Sequence, residues 1–196
     1  MKLNQFTLLM AGHPFRGSIQ NIPDGDVAVV QMRDVNQDKG IDLRSLGKVR
    51  LTGRKKPDYL KKGDILFVGR GYRIFASLVE EDLGHTVAGP HFFIIRVKPG
   101  RKDIRADYLA WYINHSRAQR YFTRHVAGTA LPHVNRTTLG DLPVIVPPIE
   151  VQAHIVKAHQ CRLKEQALME ALIEKKKQFL DRLLDQTLEQ YQEDRA

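Results

Sequence analysis

Residues 128–156 read GTALPHVNRTTLGDLPVIVPPIEVQAHIV, and the stretch decides the architecture because its character changes halfway along. A turn at Gly128-Thr129 leads into the polar, base-capable side chains of His133, Asn135 and Arg136. The apolar run Leu142 to Val146 then predicts a short strand that ends at Pro147-Pro148. Proline has no amide donor and holds φ near −65°, so it stops a strand yet suits the first turn of a helix. No glycine or proline follows as far as Ala196, and Glu150 places a carboxylate where a helix N-terminus favours one. The stretch reads as a hinge between a compact body, 1–147, and one long terminal helix, 148–196.

Leu172, Phe179 and Leu183 continue an apolar stripe along that helix, interrupted by Lys175-Lys176-Lys177, and Leu168 and Leu188 are further candidates to face a partner helix. At ~1.5 Å per residue the segment from Ile149 to Tyr191 spans roughly 60 Å. A small body cannot cover a stripe of that length, so a partner helix is expected. The heptads are irregular, which favours an antiparallel pair over a parallel zipper.

With 42% hydrophobic residues in 196, the chain has enough apolar content for one buried domain and an appendage. A single cysteine, Cys161, leaves no internal disulfide and suits a reducing cytoplasm. The only apolar run near the start, Phe6 to Ala11, is too short for a signal peptide, and no segment reaches the ~20 apolar residues of a membrane span. A soluble, cytoplasmic protein without a membrane partner is expected. Charge is unevenly distributed. Residues 1–148 hold 23 Lys and Arg against 13 Asp and Glu, a net +10, whereas 149–196 hold 8 against 9. A basic folded body points to a polyanion, most often nucleic acid.

Within the body, strands are expected at Val27–Met32, Leu46–Leu51, Ile65–Val68, Ile74–Val79 and His91–Val97, and one helix at Ala106–His125. The candidate DNA contacts cluster at breaks between them. Arg33 ends a strand and either meets DNA or pairs with the neighbours of Asp34. Arg54, Lys55 and Lys56 sit in a loop bounded by Gly53 and Pro57. Arg70, Tyr72 and Arg73 flank Gly71, and Lys102 follows Gly100. Arginine offers bidentate contact to guanine or phosphate, and tyrosine can stack. Arg117, Arg120 and Arg124 fall on one helical face that is either solvated or turned toward phosphates. His91 reads as a strand-end histidine or a base contact. No Gly-Lys-Ser/Thr follows the Gly69-Arg70-Gly71 turn, so it is not a phosphate-binding P-loop.

Gly128-Thr129, Val134, Leu139, Leu142, Pro147-Pro148, Ile149, Gln152 and Ile155 together resemble the end of a target-recognition domain in the DNA-specificity (S) subunits of Type I restriction-modification systems. So do Gly63-Asp64 running through Ile65–Phe67 into Arg70-Gly71, and the Asp107–Asn114 segment. One departure is Val151, where the family usually has Glu before the glutamine. The resemblance implies an α+β (α/β) recognition domain with a twisted mixed sheet and a packing helix, followed by a long C-terminal coiled-coil helix. It also implies double-stranded DNA as ligand, a DNA methyltransferase (M) subunit as partner, a restriction (R) subunit in systems that have one, and a role in phage defence. S-adenosylmethionine would belong to the methyltransferase, with no cofactor on this chain. Full-length S subunits carry two recognition domains and two spacer helices packed antiparallel. One of each is present here, which implies a half-length form that homodimerises and reads inverted half-sites.

No catalytic motif is visible. Pro147-Pro148 lacks the Asn/Asp and aromatic flanks of a methyltransferase motif, and Pro57-Asp58 has no Glu-x-Lys on a nearby strand. The histidines form no short metal-ligand pair. A non-catalytic specificity subunit is therefore expected. Two other readings stay open: a stand-alone dimeric DNA- or RNA-binding regulator, and a small nuclease whose site a single sequence does not display.

Overall fold

The structure, a computed structural model, describes residues 1–15, 17–51, 56–71, 73–125 and 133–193. In chain order its strands are β1 (Thr7–Ala11), β2 (Val27–Val30), β3 (Val35–Asn36), β4 (Gly40–Ile41), β5 (Gly47–Val49), β6 (Ile65–Val68), β7 (Phe75–Leu78), β8 (Thr86–Ala88) and β9 (Phe92–Val97). Its helices are α1 (Ala106–Asn114), α2 (Ser116–His125), α3 (Arg136–Gly140) and α4 (Ile149–Glu193). They form two units, Met1–Val156 and Lys157–Ala196.

Ile65-Leu66-Phe67-Val68 is apolar at every position because β6 is covered on both faces. It lies inside an antiparallel sheet of order β1-β9-β6-β7. Side chains alternate across a strand, so Ile65 and Phe67 join one core with Tyr108, Leu109, Ile113 and Phe122 from the helices. Leu66 and Val68 join a second with Val30, Ala88 and Phe92. The mixed pairing lies in a smaller sheet, β5-β2-β8, where β2 runs parallel to β8 and antiparallel to β5.

Three local expectations need correction. The Ala106–His125 segment is two helices, because His115 is extended (φ −71°, ψ 149°). The Asn114 side chain meets the β7 backbone there: Ala76 N–H donates to Oδ1 and Nδ2 donates to the Ala76 carbonyl, both at 2.8 Å. Leu142–Val146 is extended but makes only one bridge, Pro143 to Lys2, since the prolines remove the donors a longer ladder needs. Strand β8 and helix α3 are additional short elements that the sequence pattern did not announce.

Helix α4 starts where the proline pair ends, and its first two turns pack into the body. Val156 is buried, and Gln152 is fully buried. Gln152 Oε1 accepts from Arg105 N–H at 2.9 Å, while Nε2 donates to the carbonyls of Asp103 and Pro147, each at 2.8 Å. The helix thus begins at Ile149, whereas the packing of the body continues through Val156. In the second unit Leu168, Leu172, Phe179, Leu183 and Leu188 are all exposed, from 47% at Leu183 to 71% at Leu168. Among the described residues no helix is long and apolar enough to cross a membrane.

Candidate nucleic-acid interface

Strand direction sorts the basic residues into two groups. β6 and β9 are antiparallel, with Val68 opposite Phe92 and Ile65 opposite Ile95. The end of the sheet where β6 finishes therefore also holds the beginning of β7, the end of β1 and the start of β9. Arg70, Arg73 and His91 all lie at this end and are exposed. Among the described residues no carboxylate pairs with Arg70 or Arg73.

A second chain segment is drawn to the same place. Val134 N–H donates to the Gly69 carbonyl at 2.7 Å, and Arg70 bridges His133 in antiparallel fashion. Gly69 makes this approach possible, because a Cβ there would lie 2.9 Å from the Phe67 ring and 3.1 Å from the Val134 carbonyl. Gly71 follows at φ +98°, a conformation L side chains rarely adopt. The glycines thus turn the chain between two exposed arginines and seat His133 against the first.

The same segment opens α3. Asn135 caps it by accepting from Thr138 N–H at 2.8 Å, so its carbonyl oxygen is engaged within the protein. Arg136 is exposed, but one of its guanidinium nitrogens donates to the Leu9 carbonyl at 2.7 Å. That bond leaves the remaining N–H groups for a ligand and fixes where the guanidinium lies. Arg33 follows β2, whose Val30 carbonyl accepts from Gly89 in the turn leading to His91. Its Nε is 3.6 Å from buried Asp34 itself, rather than from a neighbour of Asp34.

Lys102 and Lys56 are separate from this group. Lys102 lies beyond β9 at the opposite end of the sheet, among residues that receive the start of α4. Lys56 leads to Tyr59, whose carbonyl accepts from Arg96 near that far end. Arg54, Lys55, Tyr72 and the Gly128-Thr129 turn lie outside the described residues. His91, which the sequence left between two readings, follows the Gly89-Pro90 turn at the end of the sheet that holds Arg70 and Arg73.

Two features hold the site's framework. Asp64, 1% exposed, receives Arg96 through two 2.6 Å hydrogen bonds and accepts Lys61 N–H at 2.9 Å. The hydrogen bond to Asp64 raises the Arg96 pKa above its ordinary value. Beside α3, Tyr121 Oη donates to the Thr138 carbonyl at 3.1 Å, and burial raises the pKa of that phenol. Among the described residues no group of His, Cys, Asp and Glu could hold a metal ion. The described residues of the site form a polar, cationic surface.

Comparison with known proteins places the chain in one family. Residues 6–175 match the family model described as Type I restriction modification DNA specificity domain. No curated protein matches the sequence. Among solved structures, the HsdS subunit from Thermoanaerobacter tengcongensis is similar at TM-score 0.58 and 20% identity, covering 89% of this chain and 42% of its own. The S subunit of a Type-I restriction-modification system from M. genitalium is similar at TM-score 0.53 and 12% identity, covering 81% and 37%. A chain from a structure of complex assembly and conformational transition in the type I R-M system is similar at TM-score 0.59 and 20% identity, covering 90% and 43%. These identities speak to the fold, and the chain spans less than half of each of the three.

Proposed function

Because the chain belongs to the family of Type I restriction modification DNA specificity domains, we propose that it is a non-catalytic specificity subunit whose Arg70–His133 end reads duplex DNA for a partner methyltransferase. The observation that carries this reading is the meeting of two distant segments there. Arg70 and Arg73 share one exposed cationic end of the sheet, where Arg70 bridges His133, in a body with net charge +10; Arg136 is held farther along β1, at Leu9. Arginine beside histidine and asparagine can serve both base edges and phosphates. S-adenosylmethionine belongs to the methyltransferase in this scheme, and a restriction subunit joins in systems that possess one.

The terminal helix supports assembly. At about 100° per residue, Leu168, Leu172, Phe179 and Leu183 share one row, and Ile173, Leu180, Leu184 and Leu188 form its neighbour. The exposed apolar band spans roughly 200° of the circumference, wider than a two-helix seam uses. We assign one part of it to a second copy of this helix, paired antiparallel, and the remainder to the methyltransferase. Two recognition domains related by a two-fold axis would then read inverted half-sites.

Duplex binding tests the reading directly. Arg70→Ala and Arg73→Ala should each weaken specific binding about tenfold or more, as loss of one bidentate contact does. Substitutions among Lys175, Lys176 and Lys177 should have little effect. If the helix lysines matter more, the DNA-reading end has been misassigned. Light scattering of the chain alone at micromolar concentration tests the pairing. A dimer that becomes a folded monomer with Leu172, Phe179 and Leu183 each replaced by glutamate is expected, and a wild-type monomer would exclude self-pairing.

A further inference from the structure

The outer face of α2 is a second cationic surface, distinct from the residues assigned to reading. The helix SRAQRYFTRH contains no acidic residue, and Arg117, Arg120 and Arg124 are exposed along it. Among the described residues none of the three has a carboxylate partner. Ala118 and Phe122 are buried on the other side, so the face that carries the arginines is fixed by packing. These side chains differ from Arg101 and Arg105, each of which is paired with an aspartate two residues away.

Two contacts tie this helix to the candidate interface. Phe122 packs against Phe67, with ring centroids 5.3 Å apart, two residues before Gly69. Tyr121 bonds the Thr138 carbonyl in α3, the helix capped by Asn135. The helix that carries the arginine face is therefore anchored on the elements that lead to Arg70 and His133. Arg117 and Arg124 are about 10 Å apart along the axis. Three consecutive phosphates of one DNA strand advance by about 7 Å, at 3.4 Å of duplex axis each, a difference that flexible arginine side chains can absorb.

We propose that Arg117, Arg120 and Arg124 form a phosphate-tracking face that holds the backbone of duplex DNA while the Arg70–His133 end reads bases. This rests on the DNA-binding reading above. Its signature is different, however, because phosphate contacts set affinity and salt dependence without carrying sequence information. Neutralising three contacts should reduce the slope of log affinity against log salt by about 2.7, at ~0.9 per phosphate. Between 50 and 200 mM salt, that slope corresponds to about a fortyfold difference in how much affinity is lost.

The test compares the wild-type chain, the Arg117→Gln/Arg120→Gln/Arg124→Gln variant and the corresponding triple lysine variant on a random 30-base-pair duplex across that salt range. All three positions are exposed, so melting temperatures should agree. The glutamine variant should lose the slope and the lysine variant should retain it. A glutamine variant with the wild-type slope overturns the proposal. So does a variant that retains the duplex slope but loses binding to a single-stranded RNA of equal length, because the face would then belong to RNA. Wild-type binding that is indifferent to salt would instead fail the broader DNA-binding reading. The two failures are therefore distinguishable.

Discussion

Replacing Gln152 with alanine should destabilise the body by about 3 kcal/mol. The side chain has no exposed surface and makes three hydrogen bonds, to Arg105 N–H and to the carbonyls of Asp103 and Pro147. Leaving the Arg105 amide without a partner costs about 1–3 kcal/mol, and two weakened carbonyls and a small cavity add to it. For a domain of this size, 3 kcal/mol corresponds to a fall in melting temperature of roughly 6–12 °C. Thermal and urea denaturation followed by circular dichroism measures it. Gln152→Leu, similar in volume but without polar atoms, should lose a comparable amount, because hydrogen bonding rather than filling is the main role. Gln152→Glu keeps the acceptor but turns an anion toward two carbonyls. Its folded state should favour the protonated form, so the variant should gain relative stability as pH falls and lose it as pH rises. A loss below 1 kcal/mol for both Ala and Leu would refute the reasoning and make Gln152 an incidental buried amide.

Asp64→Asn should cost about 2–4 kcal/mol in denaturation experiments, since a buried carboxylate bonded twice to Arg96 becomes a neutral amide; partial exposure of Arg96 keeps the value below that of a fully buried pair. A loss under 1 kcal/mol would show that the pair does not hold the start of β6. Tyr108, whose hydroxyl donates to the Ile145 carbonyl at 2.8 Å, is pushed up to about 12, mainly by burial and secondarily by Tyr112. A raised folded pKa gives stability that is complete below the unfolded value of about 10 and is lost as pH rises toward 12. Alkaline denaturation of Tyr108→Phe should therefore be flatter through that window, and an unchanged curve would exclude this phenol as a contributor.

The elements legible in sequence are those set by local chemistry. Ile65–Val68 was legible as a strand from its unbroken apolarity, and Pro147-Pro148 marked the break after which α4 starts, at Ile149. What escaped depends on distant partners. Asn114 is an acceptable helix residue, and nothing local shows that its amide will bind Ala76, 38 positions away, where the helix breaks. Thr86–Ala88 has only three residues, and its parallel pairing with β2 is equally non-local. Gln152 was recognisable as part of a family pattern, but its three bonds depend on the return of Asp103 and Arg105 to the start of the helix.

The candidate site shows the same limit in a form that bears on function. Arg70 and Lys102 look equivalent in sequence, each an exposed cation beside a glycine turn, yet opposite strand directions put them at opposite ends of the sheet. Conversely, Arg70 and His133 are far apart in sequence and meet because Gly69 has no Cβ to obstruct Val134. The net charge of +10 is therefore spread over more than one surface. Bulk salt dependence establishes that the body attracts a polyanion, but it cannot locate the reading face. Location comes from position-specific effects: sequence preference should follow Arg70 and Arg73, and substituting Lys102 should leave it unchanged. The far end has another structural role, because there Gln152 joins the first turn of α4 to the residues that follow β9. A cation at that end can strengthen general attraction to DNA without choosing the sequence.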